Sequence, residues 1–292
     1  MPKTRLKNYL HLHLLVFIWG FTAILGALIT IDAIPLVWYR MLLATLFVFI
    51  YLLFTKLPLK ISPKNMVKFI IGGILIASHW IFFFSAIKVS NVSVALVSMS
   101  TGALFTSLIE PFFFKRKLIP MELIFGLIVV SGLYLIFNVE SEYTLGIIYA
   151  LIAAFLSALF TVLNGLYIRD NDASVLSFYQ LLFGVVFITI YILATTGFTF
   201  EIFNLTKSDI IYLLILSSIC TAYAFVISVK IMKHLTPYTV MLTINLEPIY
   251  GIVLAVIIFG EKEKMSPQFY IGALIIFITV IINGILKNKK RL

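Results

Sequence analysis

The chain consists almost entirely of apolar runs about as long as a lipid bilayer is thick, and that repetition restricts it to very few architectures. A hydrocarbon core needs about 20 consecutive apolar residues per helix. Ten runs meet or approach that length, at 11–30, 35–55, 67–87, 92–114, 120–138, 145–167, 174–196, 210–229, 237–259 and 268–286. Short polar loops join them, which leaves no stretch for a soluble domain. The 292 residues are 62% hydrophobic and 12% charged, against roughly half and about a quarter in a soluble domain. A transmembrane barrel would instead show strands of about 10 residues with alternating polarity. The expected fold class is an all-α polytopic membrane protein of ten transmembrane helices.

Lys3, Arg5 and Lys7 precede the first run, as in a signal peptide. The run is longer than the ~7–15 residues of a signal core, so it reads as a retained helix. The single cysteine, Cys220, can form neither an internal disulfide nor a multi-cysteine metal site, and reads as a small packing residue.

A formal net charge of +10 invites a nucleic-acid reading, but its placement argues for a membrane surface. With ten spans the loops alternate between two sides. One side holds the basic residues of the N-terminus, Lys56, Lys60, Lys64, Lys68, the Lys115-Arg116-Lys117 cluster, Arg169, Lys230, Lys233 and the Lys287–Arg291 tail. The other holds only Lys88, Lys207, Lys262 and Lys264, beside Asp32, Glu140, Glu142, Glu201, Asp209, Glu261 and Glu263. The positive-inside rule then places both termini in the cytoplasm, with the basic loops against anionic lipid.

The chain also divides near Glu142 into halves that echo one another. Trp38-Tyr39-Arg40-Met41-Leu42 in the second run corresponds to Phe178-Tyr179-Gln180-Leu181-Leu182 in the seventh. Leu25-Gly26 corresponds to Asn164-Gly165, and Pro120 to Gly126 to Pro267 to Gly272. Five spans per half is odd, so the second copy enters the membrane in the opposite sense. Inverted repeats of this kind characterise many secondary transporters, whose substrate site lies near the midplane between the halves. The expected units are 1–138 and 145–286, followed by a basic cytoplasmic tail, 287–292.

These residues resemble the drug/metabolite transporter superfamily, EamA type, as two units covering about 11–138 and 145–286. The resemblance rests most on Leu246-Glu247-Pro248, Phe259-Gly260-Glu261, Gln268 and Gly272, with Tyr39-Arg40 followed by Leu42, Leu43 and Ala44 as a second element. The first half departs from the pattern, with Gly102 opposite Pro248 and Phe114-Lys115 opposite Gly260-Glu261. The resemblance implies export or exchange of small metabolites, often amino acids.

Glu247 is the one charge near the centre of a run, and a carboxylate there costs a few kcal/mol or more unless it is neutralised or paired. It could bind a substrate amine or carry a coupling proton; the competing reading is a protonated, hydrogen-bonded structural group. Three- and four-residue spacing puts Thr243, Thr239, Tyr250 and Gly251 on its helix face. Arg40 could hold a carboxylate or could snorkel to outer headgroups. His79 could relay protons or pack by a hydrogen bond. In the fourth run Ser93, Ser100 and Ser107 share a face, either lining a wet path or packing helices. Tyr39, Trp80, Tyr223 and Tyr250 are the aromatics expected nearest a cavity. The candidate substrate or coupling residues are thus Glu247, His79, Arg40, Thr243, Tyr250, Ser100 and Tyr223.

The leading expectation is a secondary transporter, an exporter of small metabolites by alternating access, in a bacterial cytoplasmic (inner) membrane. Efflux of lipophilic cations is the alternative within transport. An intramembrane enzyme has little support, since no GxxxxGK, HExxH or GxSxG pattern and no clustered acids occur. No cofactor or metal is implied. The expected partners are a small-molecule substrate and membrane lipids, without nucleic acid; the sequence leaves monomer and homodimer open.

Overall fold

The computed structural model describes residues 3–115, 117, 118 and 120–289. Arg116, Lys290 and Arg291, counted above among the basic residues, lie outside them, as does the end of the tail. Among the described residues the regular structure is entirely helical. The helices are α1 (Lys3–Leu28), α2 (Ala33–Thr55), α3 (Pro63–Val89), α4 (Val92–Met99), α5 (Gly102–Phe114), α6 (Pro120–Val139) and α7 (Thr144–Tyr167). The second half continues with α8 (Ala173–Ala194), a short α9 (Phe200–Phe203), α10 (Lys207–Ser217), α11 (Ala224–Ile231), α12 (Pro237–Ile244), α13 (Glu247–Phe259) and α14 (Pro267–Lys289). Among the described residues, eight helical segments are long and apolar enough to cross a bilayer, while Ile124–Val139 and Pro267–Thr279 are shorter apolar helices. In lipid every backbone polar group must find a partner within the protein, which is why such runs become helices.

Polar caps set the starts. Ser62, Asp172, Thr206 and Thr236 each accept a backbone N–H of the turn that follows, and Pro63 and Pro237 occupy first-turn positions where no N–H is required.

The packing pattern repeats when the halves are exchanged. Helix α3 packs along α7 and α8; its counterpart, the α10–α11 segment, packs along α1 and α2. The pairs α2 with α8 and α6 with α14 join equivalent elements across the two halves, and the fourth and ninth segments pack first part on second, α4 with α13 and α5 with α12. Lipid gives helices no hydrophobic reason to associate, so small residues carry the close crossings. Ala150, Ala153 and Ala154 are fully buried on α7, in keeping with its close packing on α3. At Gly73 on α3 an added methyl would lie 2.6 Å from the Gln180 carbonyl oxygen and 2.9 Å from the Gly184 nitrogen of α8.

Two segments expected to be continuous are interrupted at corresponding points. The fourth breaks at Ser100-Thr101 and the ninth at Asn245-Leu246. Pro248 explains the second break, because it cannot donate to the carbonyl four residues earlier. At the first, Ser100 and Thr101 donate three residues back, to Val97 and Ser98, and the Thr101 hydroxyl also bonds the Ser98 carbonyl at 2.8 Å. The breaks touch: Asn245 Nδ2 donates to the Ser100 carbonyl at 2.7 Å.

Candidate functional site

A small cavity of about 90 Å3 lies where the broken ninth segment meets α1, α2, α3, α4, α7 and the eighth segment. That is room for a few waters, and tighter than the ~300–1,000 Å3 of drug-sized sites. Three of the expected residues, Glu247, Arg40 and His79, line it.

Glu247 is the first residue of α13, and the break therefore delivers its carboxylate to the cavity at the positive end of a helix dipole. It makes no ion pair or hydrogen bond among the described residues.

Arg40 is 1% exposed, so it does not snorkel. Its Nε donates to the Thr221 hydroxyl at 2.7 Å, and the guanidinium carbon sits 3.9 Å from the centre of the Trp80 ring. Nη1 is buried with no partner. A cation in an apolar environment is tolerated when an aromatic face and a hydroxyl replace some of its hydration.

The Thr221 hydroxyl is available because the eighth segment is not regular. Residues Ser218–Tyr223 form a π-helical turn, in which the Thr221 hydroxyl donates to the Leu216 carbonyl five residues back at 2.6 Å. Such a turn inserts a residue and releases backbone groups from the regular ladder. The Cys220 carbonyl accordingly accepts from Trp19 Nε1 at 3.2 Å.

His79 Nδ1 bonds the Ala153 carbonyl at 2.9 Å, and a carbonyl can only accept. Nδ1 therefore carries the proton, which leaves Nε2 as the open ring nitrogen. The ring stacks on Phe83. Trp19, Trp80, Phe83, Phe160 and Phe225 supply the apolar walls, and Thr22, Ser157, Thr161 and Ser228 the remaining hydroxyls.

Four expected residues lie elsewhere. Thr243 is buried, its hydroxyl spent on the Thr239 carbonyl at 2.9 Å, because the break after Ile244 takes it out of register with Glu247. Tyr250 is about one-third exposed and packs edge-on against Phe17. Ser100 lends its carbonyl to Asn245 and turns its hydroxyl back to Leu96 at 3.3 Å. Tyr223 ends the π-helical turn and is 43% exposed on a groove with Phe47 and Tyr51. The serine face of the fourth segment is likewise interrupted, and neither Ser93 nor Ser107 reaches the cavity.

The two ends of the bundle differ. At the end away from the termini three carboxylates tie one half to the other. Asp209 accepts from the Thr30 backbone and hydroxyl at 2.7 and 2.8 Å. Glu263 accepts from the Val92 and Ser93 N–H groups that open α4, both at 2.9 Å. Glu140 accepts from the Ser266 backbone and hydroxyl at 3.1 and 2.7 Å. Lys88 adds a hydrogen bond to the Ile29 carbonyl. At the opposite end a vestibule of about 470 Å3 opens among Phe114, Gly165, Arg169 and residues 232–237. Met232 lines both the vestibule and the central cavity.

This architecture is that of an integral membrane protein with an internal cavity lined by residues of both halves. The chain belongs to the EamA-like transporter family, whose pattern matches residues 6–138 and again 144–285. It is 26% identical to an uncharacterized transporter of Clostridium kluyveri over 241 residues, which cover 80% of this chain and 76% of that one. An uncharacterized transporter of Archaeoglobus fulgidus is 25% identical over 280 residues, covering 92% and 94% of the two chains. A crystal structure at 17% identity superposes with a TM-score of 0.69 over 97% of this chain and 98% of the other, which is likeness of fold alone.

Proposed function

We propose that the protein is a secondary active exporter of small zwitterionic metabolites such as amino acids. It works by alternating access of two inverted five-helix repeats, 1–138 and 145–286, in a bacterial cytoplasmic membrane with both termini inside. The observation that carries this reading is that Arg40, with its Nη1 buried and unpartnered, and the carboxyl group of Glu247 line one small aromatic-walled cavity without bonding each other. Buried charges normally pair. An arrangement that keeps them apart suits a ligand carrying both a carboxylate and an ammonium group. Arg40 would take the carboxylate, Glu247 the ammonium group or the coupling proton, and His79 Nε2 could relay protons nearby.

The vestibule beyond Met232 supports a conformer that admits substrate from the terminal side, while the three carboxylate ties hold the other end shut. Driving energy would come from an ion or substrate gradient.

Counterflow of labelled amino acids in proteoliposomes tests the reading. Glu247→Gln should abolish coupled flux while leaving expression and the thermal midpoint intact. Wild-type flux in that variant would remove Glu247 from the mechanism.

A second reading, efflux of lipophilic cations, draws on the five aromatic rings that line the cavity together with Glu247. Tight binding of quaternary ammonium compounds with no amino-acid counterflow would decide for it.

A further inference from the structure

We infer that Thr221, held by the π-helical turn Ser218–Tyr223, is the positioning residue that aims the Arg40 guanidinium into the central cavity as its anion-binding group. The inference rests on the transport reading above and goes beyond it, because it assigns the orientation of Arg40 to a residue of the other half. Three contacts fix the guanidinium on its inner side: Nε on the Thr221 hydroxyl at 2.7 Å, Trp80 at 3.9 Å and Phe84 at 5.5 Å. With Nε anchored and an aromatic face on one side, Nη1 is left buried and unpartnered beside the cavity. A donor in that state is normally satisfied, and leaving it unmade is costly. A carboxylate entering the cavity would satisfy it in a charge-assisted bond.

The anchor depends on the local distortion. In a regular helix a threonine hydroxyl bonds the carbonyl three or four residues back. Here it reaches Leu216, five residues back, at 2.6 Å, which turns its lone pairs toward α2. The same turn places the neighbouring residue, Cys220, on the cavity wall.

Cys220 is the only cysteine of the chain and so reports on its surroundings without engineering. Iodoacetate and iodoacetamide attack the same thiolate and differ by one charge, so their rate ratio at Cys220, normalised to glutathione, reads the cavity's preference for an anion. The experiment follows alkylation of purified full-length protein by mass spectrometry. Wild type should favour iodoacetate by roughly fivefold, about the attraction of one unit charge a few ångströms away at a water-like dielectric. Arg40→Gln should bring the normalised ratio to that of the free thiol, Thr221→Val should bring it close to that floor, and Thr221→Ser should restore it. Loss of packing alone would lower the thermal midpoint of Thr221→Val without moving the ratio.

A wild-type ratio in Thr221→Val, while Arg40→Gln falls, overturns the positioning role and leaves Arg40 as the anion-binding group. A ratio that Arg40→Gln leaves unchanged overturns the transport reading of Arg40 itself. Cys220 that reacts with neither reagent overturns the inference as well, since the cavity then admits no solute of carboxylate size.

Discussion

At the scale of single residues, the charges are what the bilayer makes conspicuous. A charge inside an apolar run is expensive enough that Glu247 and Arg40 stand out before any fold is known. Both line the cavity, as does His79. Trp19, Phe160 and Phe225 line it too, yet nothing in the sequence separates them from lipid-facing aromatics of the same helices. Thr221 was equally silent, because its role arises only where a π-helical turn meets Arg40 from the other half. Glycine carries a second residue-scale consequence. Gly73→Ala would push a methyl against the α8 backbone, which cannot give way as a side chain tip can. Overpacking of this kind typically costs about 1–3 kcal/mol. The thermal midpoint in detergent should fall, and an unchanged midpoint would mean α3 and α8 are less tightly apposed than described.

At the scale of elements, helix breaks decide which faces look inward. The stripe Thr239, Thr243, Glu247, Tyr250 is a single face only if the ninth segment is continuous, and it is not. Pro248 announced some loosening there, but the direction in which α13 departs from α12 follows from the contact of Asn245 with Ser100. Tyr223 falls outside as well: as the last residue of the π-helical turn it faces a groove with Phe47 and Tyr51 instead of the cavity. The opening of α4 depends on an element far along the chain, since two of its free N–H groups are capped by Glu263. Glu263→Gln keeps the shape but replaces one accepting oxygen with a donor facing an N–H. The charge-assisted cap should weaken by about 1–3 kcal/mol, lowering the thermal midpoint. Glu261, exposed and bonded only to Lys264 among the described residues, serves as the control: Glu261→Gln should leave the midpoint in place.

At the scale of the whole molecule, the vestibule at the terminal end shares Met232 with the central cavity, whereas a pocket of about 510 Å3 at the other end, lined by Thr30, Asp32 and Glu201 among others, shares none of its lining with that cavity. The carboxylate ties of Asp209, Glu263 and Glu140 all cross between the halves, while Met232 alone is shared by vestibule and cavity. In sealed vesicles of known orientation, a membrane-impermeant thiol reagent should label Cys220 from the face that carries the termini and scarcely at all from the other. Met232→Ala should speed that labelling. Faster labelling from the opposite face would reverse the assignment of the open end.

The sequence by itself determined the solvent, the positions of the apolar helices to within a few residues, the echo between the halves and the two costly charges. Those properties are local or additive along the chain: a run is apolar, or a loop is basic, whatever surrounds it. Tertiary structure decided which side chains share the cavity, where the fourth and ninth segments break their register, and which carboxylates close the far end. Those depend on how each helix is rotated against its neighbours, and in lipid that rotation is set by close packing and by hydrogen bonds between distant segments, such as Asn245 to Ser100 and Arg40 to Thr221.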